Sequence, residues 1–250
     1  MLHKKLLCDI IILIYYGLVY YERRHTEMNK IKLLIFDLDG TLADTLEAIT
    51  NGLNLTLKNY GFPTHSCEET TKMIGNGAKN LVRSACPKGT FEGENGDALF
   101  AEIYKNYCDM YGKTYLDTKV CYAGIPEALE KFKKAGYVLA VLSNKQDTFV
   151  KGIVKQILPE GIISLAQGQT ELPIKPDPTV PLMIAEKFGV TPAECAFIGD
   201  SDVDIRTGQN AGMFSACVTW GYRPRADLLK LGADAYADTP EELEKIFVKE

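Results

Sequence analysis

The chain has 250 residues, 46% hydrophobic and 24% charged, enough to build the core of one large domain or of a domain with an insertion. Its formal charge is −5, from 28 lysines and arginines against 33 aspartates and glutamates, with no long basic run, which argues against a nucleic-acid partner. Seven cysteines without a CxxC pair read as small apolar residues in a reducing cytosol, and a histidine-based triad has a single candidate base, His65, in a loop-like stretch.

The first segment is the compositional oddity. Residues 6–21, LLCDIIILIYYGLVYY, are apolar and follow Lys4 and Lys5, as in a signal peptide, yet no small-x-small cleavage site comes after them. Sixteen residues are also short for a membrane span. The favoured reading is that Met28 is the true start and residues 1–27 are translated upstream sequence, because MNKIKLLIFDLDG opens directly into a core strand. On that reading the protein is cytoplasmic, and a membrane partner is expected only if the N-terminal segment is genuine.

From there the chain alternates. KLLIFD (32–37) reads as a strand, and 46–117 carries three helical patterns and no convincing strand. Then follow GIPEALEKFKKAG (124–136, helix), YVLAVLS (137–143, strand), DTFVKGIVKQIL (147–158, helix) and IISLAQG (162–168, strand). PTVPLMIAEKFG (178–189, helix), CAFIGD (195–200, strand), DVDIRTGQNAG (202–212, helix) and SACVTW (215–220, strand) complete the series. Near-continuous apolar strands alternating with amphipathic helices predict an α/β fold, a doubly wound parallel sheet with helices on both faces. About a hundred residues between the first two strands is far more than a crossover needs, so 46–117 is expected to be a small all-helical cap domain. The core would then be 28–45 with 118–250.

In such sheets ligands bind at the carboxyl ends of the strands, where Asp37, Ser143 and Asp200 fall. Asp37 and Asp39, at i and i+2, would lie side by side at a strand end, where two carboxylates repel. Either one is protonated or a cation lies between them, and ligands of this hardness suit Mg²⁺. An Asx-type turn closed by Gly40 is the bland alternative.

Four pieces thus recur in order at one sheet edge: DLDGT (37–41), SN (143–144), KPDP (175–178) and GDSDVD (199–204). Together they resemble the motifs of the haloacid dehalogenase superfamily of phosphotransferases, over residues 28–250. The resemblance implies that Asp37 is a nucleophile forming an aspartyl-phosphate and that Asp39 protonates the leaving alkoxide and later deprotonates water. It implies Mg²⁺ held by Asp37, the Asp39 backbone carbonyl and Asp200, with Asp204 orienting bound water. Lys175 would neutralise Asp37 and the phosphate, while Thr41, Ser143 and Asn144 would bind phosphate oxygens. An aspartate at position 39 points to a phosphatase or phosphomutase, since the dehalogenases lack it.

A helical insert between the first two motifs looks like the first cap class of that superfamily, which favours small soluble substrates. Within it MIGNGAKNLVRSA (73–85) resembles phosphoglycolate phosphatases, as do YAGIPEALEKFKKAGYVLAVLSNK (122–145) and VTWGYRP (218–224). If the first segment faces the site, backbone N–H groups at Gly75 and Asn76, with Lys79 or Arg83, would bind a substrate carboxylate. The expected activity is hydrolysis of a small phosphorylated metabolite, 2-phosphoglycolate foremost. The alternatives are a sugar-phosphate phosphatase or mutase of the same superfamily, or a membrane-tethered interaction module. Loop 218–224, with Trp220, Tyr222 and Arg223, is either a surface turn or part of the site. Oligomeric state is not legible.

Overall fold

Six strands, β1 (Leu33–Phe36), β2 (Val138–Gln146), β3 (Leu165–Gln169), β4 (Cys195–Gly199), β5 (Phe214–Val218) and β6 (Ala235–Ala237), form one parallel sheet of order β3–β2–β1–β4–β5–β6. The structure is a computed structural model that describes residues 30–117 and 121–248; the apolar N-terminal run lies outside them. Among the described residues no helix is long and apolar enough to cross a membrane.

All four β1 residues, LLIF, are buried, because they sit mid-sheet between β2 and β4 and are covered on both faces. Alternation sends Leu33 and Ile35 to one face, against Val180, Ile184 and Ala185 of α7 (Thr179–Lys187). On the other face Phe36 stacks on Phe132 of α5 (Ile125–Lys134), which in turn meets Phe247 of α10 (Pro240–Phe247) edge-on at 5.9 Å. The order runs outward in opposite senses from the β1–β4 pair, which places the topological switch point beside the end of β1.

The doubly wound reading therefore holds, with differences at its margins. β2 continues to Gln146, past the apolar run, with its pairing to β3 irregular after Leu142. Beyond residue 224 the chain adds α9 (Arg225–Leu228), β6 and α10 to what the apolar runs indicate. Thr239 caps α10 through the Glu242 N–H, and Pro240 opens the helix.

Between β1 and β2 lie α1 (Leu46–Asn59), α2 (Cys67–Thr71), α3 (Gly77–Ala85) and α4 (Gly96–Thr114). They pack around an apolar cluster of their own that includes Ile49, Leu53, Leu57, Leu81, Val82, Ile103, Tyr107 and Tyr111. The segments leading in and out of this insert meet as a neck: Ala43 bridges Cys121 antiparallel, and Tyr122 N–H donates to the Leu42 carbonyl at 3.0 Å. The remaining core helices are α6 (Asp147–Ile157) and α8 (Asp202–Ala211).

Candidate active site

Asp37 is the first residue past β1, and its N–H still donates to Ile198 of β4 at 2.8 Å. The ladder thus aims the carboxylate off the end of the sheet. Lys175, buried on the β3–α7 connection, places Nζ 2.8 Å from Asp37 Oδ1 and 2.6 Å from Asp204 Oδ1. Only the Asp204 contact is aligned as a hydrogen bond, so Asp37 Oδ1 is buried without one. Asn144 fixes the Lys175 backbone from both sides, accepting from its N–H at 2.9 Å and donating to its carbonyl at 3.0 Å.

Asp200 follows β4. Its Oδ1 accepts from the Thr41 hydroxyl at 3.2 Å and its Oδ2 from the Tyr222 N–H at 2.8 Å. Gly40, at φ +83°, has no room for a side chain, since a Cβ there would lie 2.4 Å from Asp200 Oδ2. Asp204, in the first turn of α8, accepts from Ser201 N–H and hydroxyl through Oδ2, a reciprocal cap that fixes the carboxylate toward Lys175. Asp39 is held by the Thr45 hydroxyl and by Lys145, whose Nζ lies 2.7 Å from Oδ1.

Burial dominates the electrostatics. It pushes Asp37 up to about 7 and Asp200 up to about 8, with neighbouring carboxylates adding to both and Lys175 opposing at Asp37. Burial alone would lower the Lys175 pKa, but Asp204 and Asp37 override it and raise the value, keeping the ammonium charged.

The loop after β5 folds back over this edge. Trp220 Nε1 donates to the Thr41 carbonyl at 3.1 Å, and the Tyr222 hydroxyl accepts from Thr45 N–H at 2.8 Å. Arg223 reaches across to the insert and donates to the carbonyls of Thr71 and Ile74 at 2.7 and 2.5 Å, while Asn144 donates to that of Gly75 at 3.0 Å. The space between edge and insert is partly open to solvent and suits a small molecule. Polar groups of the sheet edge form its floor; Ile49, Ile74, Ala78, Leu81 and Phe149 contribute apolar wall.

A family model described as haloacid dehalogenase-like hydrolase matches residues 34–218, which contain Asp37, Asp39, Ser143, Lys175, Asp200 and Asp204 and end just before the Trp220–Arg223 loop. The chain belongs to that family. A phosphoglycolate phosphatase of Psychrobacter arcticus is 33% identical over 211 residues, 83% of this chain and 92% of the relative. One from Thiobacillus denitrificans is 34% identical over 206 residues, 82% and 90% of the two chains. Among solved structures, a predicted phosphoglycolate phosphatase from Haemophilus somnus superposes with a TM-score of 0.79 at 30% identity, covering 88% of this chain and 99% of that one.

Within this haloacid dehalogenase-like frame, Asp37, Asp39, Ser143, Asn144, Lys175, Asp200 and Gly75 line the pocket. Thr41 and Asp204 stand behind them, joined through Asp200 and Lys175. Asn144 has its amide committed to backbone groups, so it braces the site where a phosphate contact is expected from the sequence. Asn76 is the residue before α3 and lies outside the lining.

Arg83 does not reach the pocket. Helical spacing turns Ala78 and Leu81 of α3 inward, and the Arg83 guanidinium lies 3.9 Å over the Phe100 ring and 3.8 Å from Asp97. Lys79 sits over Tyr104 instead. Lys145 lines the pocket and is not among the residues singled out from sequence; its signal was strand alternation, which puts it on the same face as Ser143.

Asp37, Asp200 and Asp204 each offer a carboxylate oxygen within 4.8 Å of the others. This buried, all-oxygen set fits a hard divalent cation.

Proposed function

We propose that the protein is a Mg²⁺-dependent phosphatase that hydrolyses a small phosphate monoester, 2-phosphoglycolate foremost, through an aspartyl-phosphate on Asp37. The observation that carries this reading is the charge balance at the sheet edge. Three buried carboxylates, Asp37, Asp200 and Asp204, face one buried ammonium, Lys175, so the edge is short of positive charge before any dianionic phosphate arrives. Mg²⁺ on Asp37, the Asp39 backbone carbonyl and Asp200, with Asp204 behind them, supplies that charge when bound.

The chain's own groups do the rest. Ser143 offers its hydroxyl to the phosphoryl oxygens, and Lys175 neutralises both them and Asp37. A carboxylate oxygen of Asp37 attacks phosphorus as the ester P–O bond breaks, and Asp39 gives its proton to the departing alkoxide. Asp39, steadied by Thr45 and Lys145, then takes a proton from the water that attacks the same phosphorus, and Asp37 is restored as phosphate leaves.

Residues 46–117 act as a lid on a core of 28–45 and 118–250, excluding water and selecting the ester. Two features support this: the insert's apolar cluster, and the lining of the pocket by Gly75, Gly77 and Ala78. The small, partly open pocket and the two relatives named for phosphoglycolate support the substrate. The six described cysteines are free thiols, in keeping with a cytoplasmic enzyme.

The test is phosphate release with Mg²⁺ across a panel of small esters, with Asp37→Asn alongside. Release that prefers 2-phosphoglycolate and vanishes in the variant is the expected result. A rearranged ester in place of free phosphate makes the protein a mutase, and release that survives Asp37→Asn removes the mechanism.

A further inference from the structure

We propose that Lys145 and Tyr111 together form the receptor for an anionic group on the substrate's leaving alcohol, making them the residues that select carboxylated esters. The inference rests on the phosphatase reading above and names what the insert end of the pocket recognises.

Three cations line the pocket, and two are committed. Lys175 is shared between Asp37 and Asp204, and Arg223 spends both terminal nitrogens on the carbonyls of Thr71 and Ile74. Lys145 is different: its side chain is 7% exposed, and its ammonium, with three N–H donors, makes one hydrogen bond, to Asp39. A second face of that ammonium lies 5.0 Å from the centre of the Tyr111 ring.

Tyr111 supplies an independent sign of a missing ligand. The residue lines the pocket at 1% exposure, and its hydroxyl is buried with no hydrogen-bond partner. An orphaned hydroxyl is costly in a folded chain unless something fills its valence. A carboxylate beside it would accept from both the Tyr111 O–H and the Lys145 N–H, while Lys145 keeps its bond to Asp39. The surrounding wall of Ile49, Leu81 and Phe149 is apolar, so an anion entering this end finds its partners in this pair. Lys79 and Arg83, the sequence candidates for the task, are engaged over aromatic rings on the insert.

The experiment compares kcat/KM for 2-phosphoglycolate and 3-phosphoglycerate with that for 2-hydroxyethyl phosphate, which has an uncharged hydroxymethyl group in place of the carboxylate, in the wild type, Lys145→Met, Tyr111→Phe and Arg223→Met. Tyr111→Phe removes a hydroxyl with no partner, so folding loses no hydrogen bond and the variant remains interpretable even if Lys145→Met misfolds.

The wild type should prefer the carboxylate. Its preference should shrink about 10–100-fold in Lys145→Met, as for one charge-assisted hydrogen bond, and by a smaller factor in Tyr111→Phe. If Lys145 merely steadies Asp39, all esters slow alike and the ratio stands, which overturns the proposal. It is also overturned if the ratio collapses only in Arg223→Met. Lys145-dependent preference for 3-phosphoglycerate with 2-phosphoglycolate refused would keep the receptor and discard the substrate. A wild type that favours 2-hydroxyethyl phosphate keeps the phosphatase and discards the receptor; cleavage of no ester sinks both.

Discussion

The sheet edge and the helical insert are held together in opposite ways. At the edge each functional carboxylate is fixed by side chains or N–H groups of particular residues, many of them far away in sequence: Asp200 by Thr41 and Tyr222, Asp39 by Lys145 and the nearby Thr45. Much of what holds the insert to that edge is backbone: Arg223 and Asn144 donate to the carbonyls of residues 71–75, which any sequence can offer, and Gln146 adds side-chain bonds to Tyr104 and Cys108. Rigid, residue-specific bonding suits groups that must meet a transition state within fractions of an ångström. Bonds to backbone atoms leave side chains on the insert free to vary with the substrate.

The strongest challenge to this contrast is charge removal. Lys175→Met should lower kcat/KM by about a thousandfold or more, since a cation on the transferring phosphoryl group and the nucleophile is lost. It should also destabilise the chain by about 3–5 kcal/mol, because Asp37 and Asp204 are left buried without their ammonium. Urea unfolding and phosphate release would measure both. Arg83→Met on the insert, by contrast, should change kcat/KM less than about twofold.

Core truncations come next. Ile35→Ala in β1 and Leu53→Ala in α1 each remove a fully buried side chain and should cost about 2–5 kcal/mol. Hydrogen exchange separates them: Leu53→Ala should speed exchange in α1–α4 and leave β1 and β4 protected. Equal loss of protection in both regions would mean that sheet and insert open as one unit.

Arg223→Met should raise KM about tenfold with a smaller drop in kcat, as expected for loosening a hold on the insert. A fall in kcat alone would place Arg223 in the chemistry. The smallest effect concerns thiols. Burial pushes Cys195 and Cys217 in the sheet up to about 12, so they should stay silent to a thiol reagent until unfolding, while exposed Cys67 on the insert reacts at once.

The same contrast explains what was legible in the sequence. Buried strands announce themselves as apolar runs, and a parallel sheet delivers whatever follows each run to one edge, so Asp37, Ser143, Lys175 and Asp200 could be placed before any coordinates. On the insert, inward and outward faces depend on how helices cross, so the sequence does not separate Lys79 and Arg83 from other residues near Gly75. Lys145 was hidden because SNKQ carries no apolar signal, although β2 runs through it. β6, three residues at the sheet margin, is too short to read as a period, whereas the Thr239–Pro240 start of α10 was there to be found.

The neck between Ala43 and Cys121 carries a last consequence. Because the two crossing segments pair with each other, the sheet experiences everything between them as a loop already closed, and the entropy of closure changes only with the logarithm of its length. The insert is therefore an exchangeable cartridge: a different bundle with the same spacing between its ends can be seated on this neck, giving the unchanged edge a new clientele.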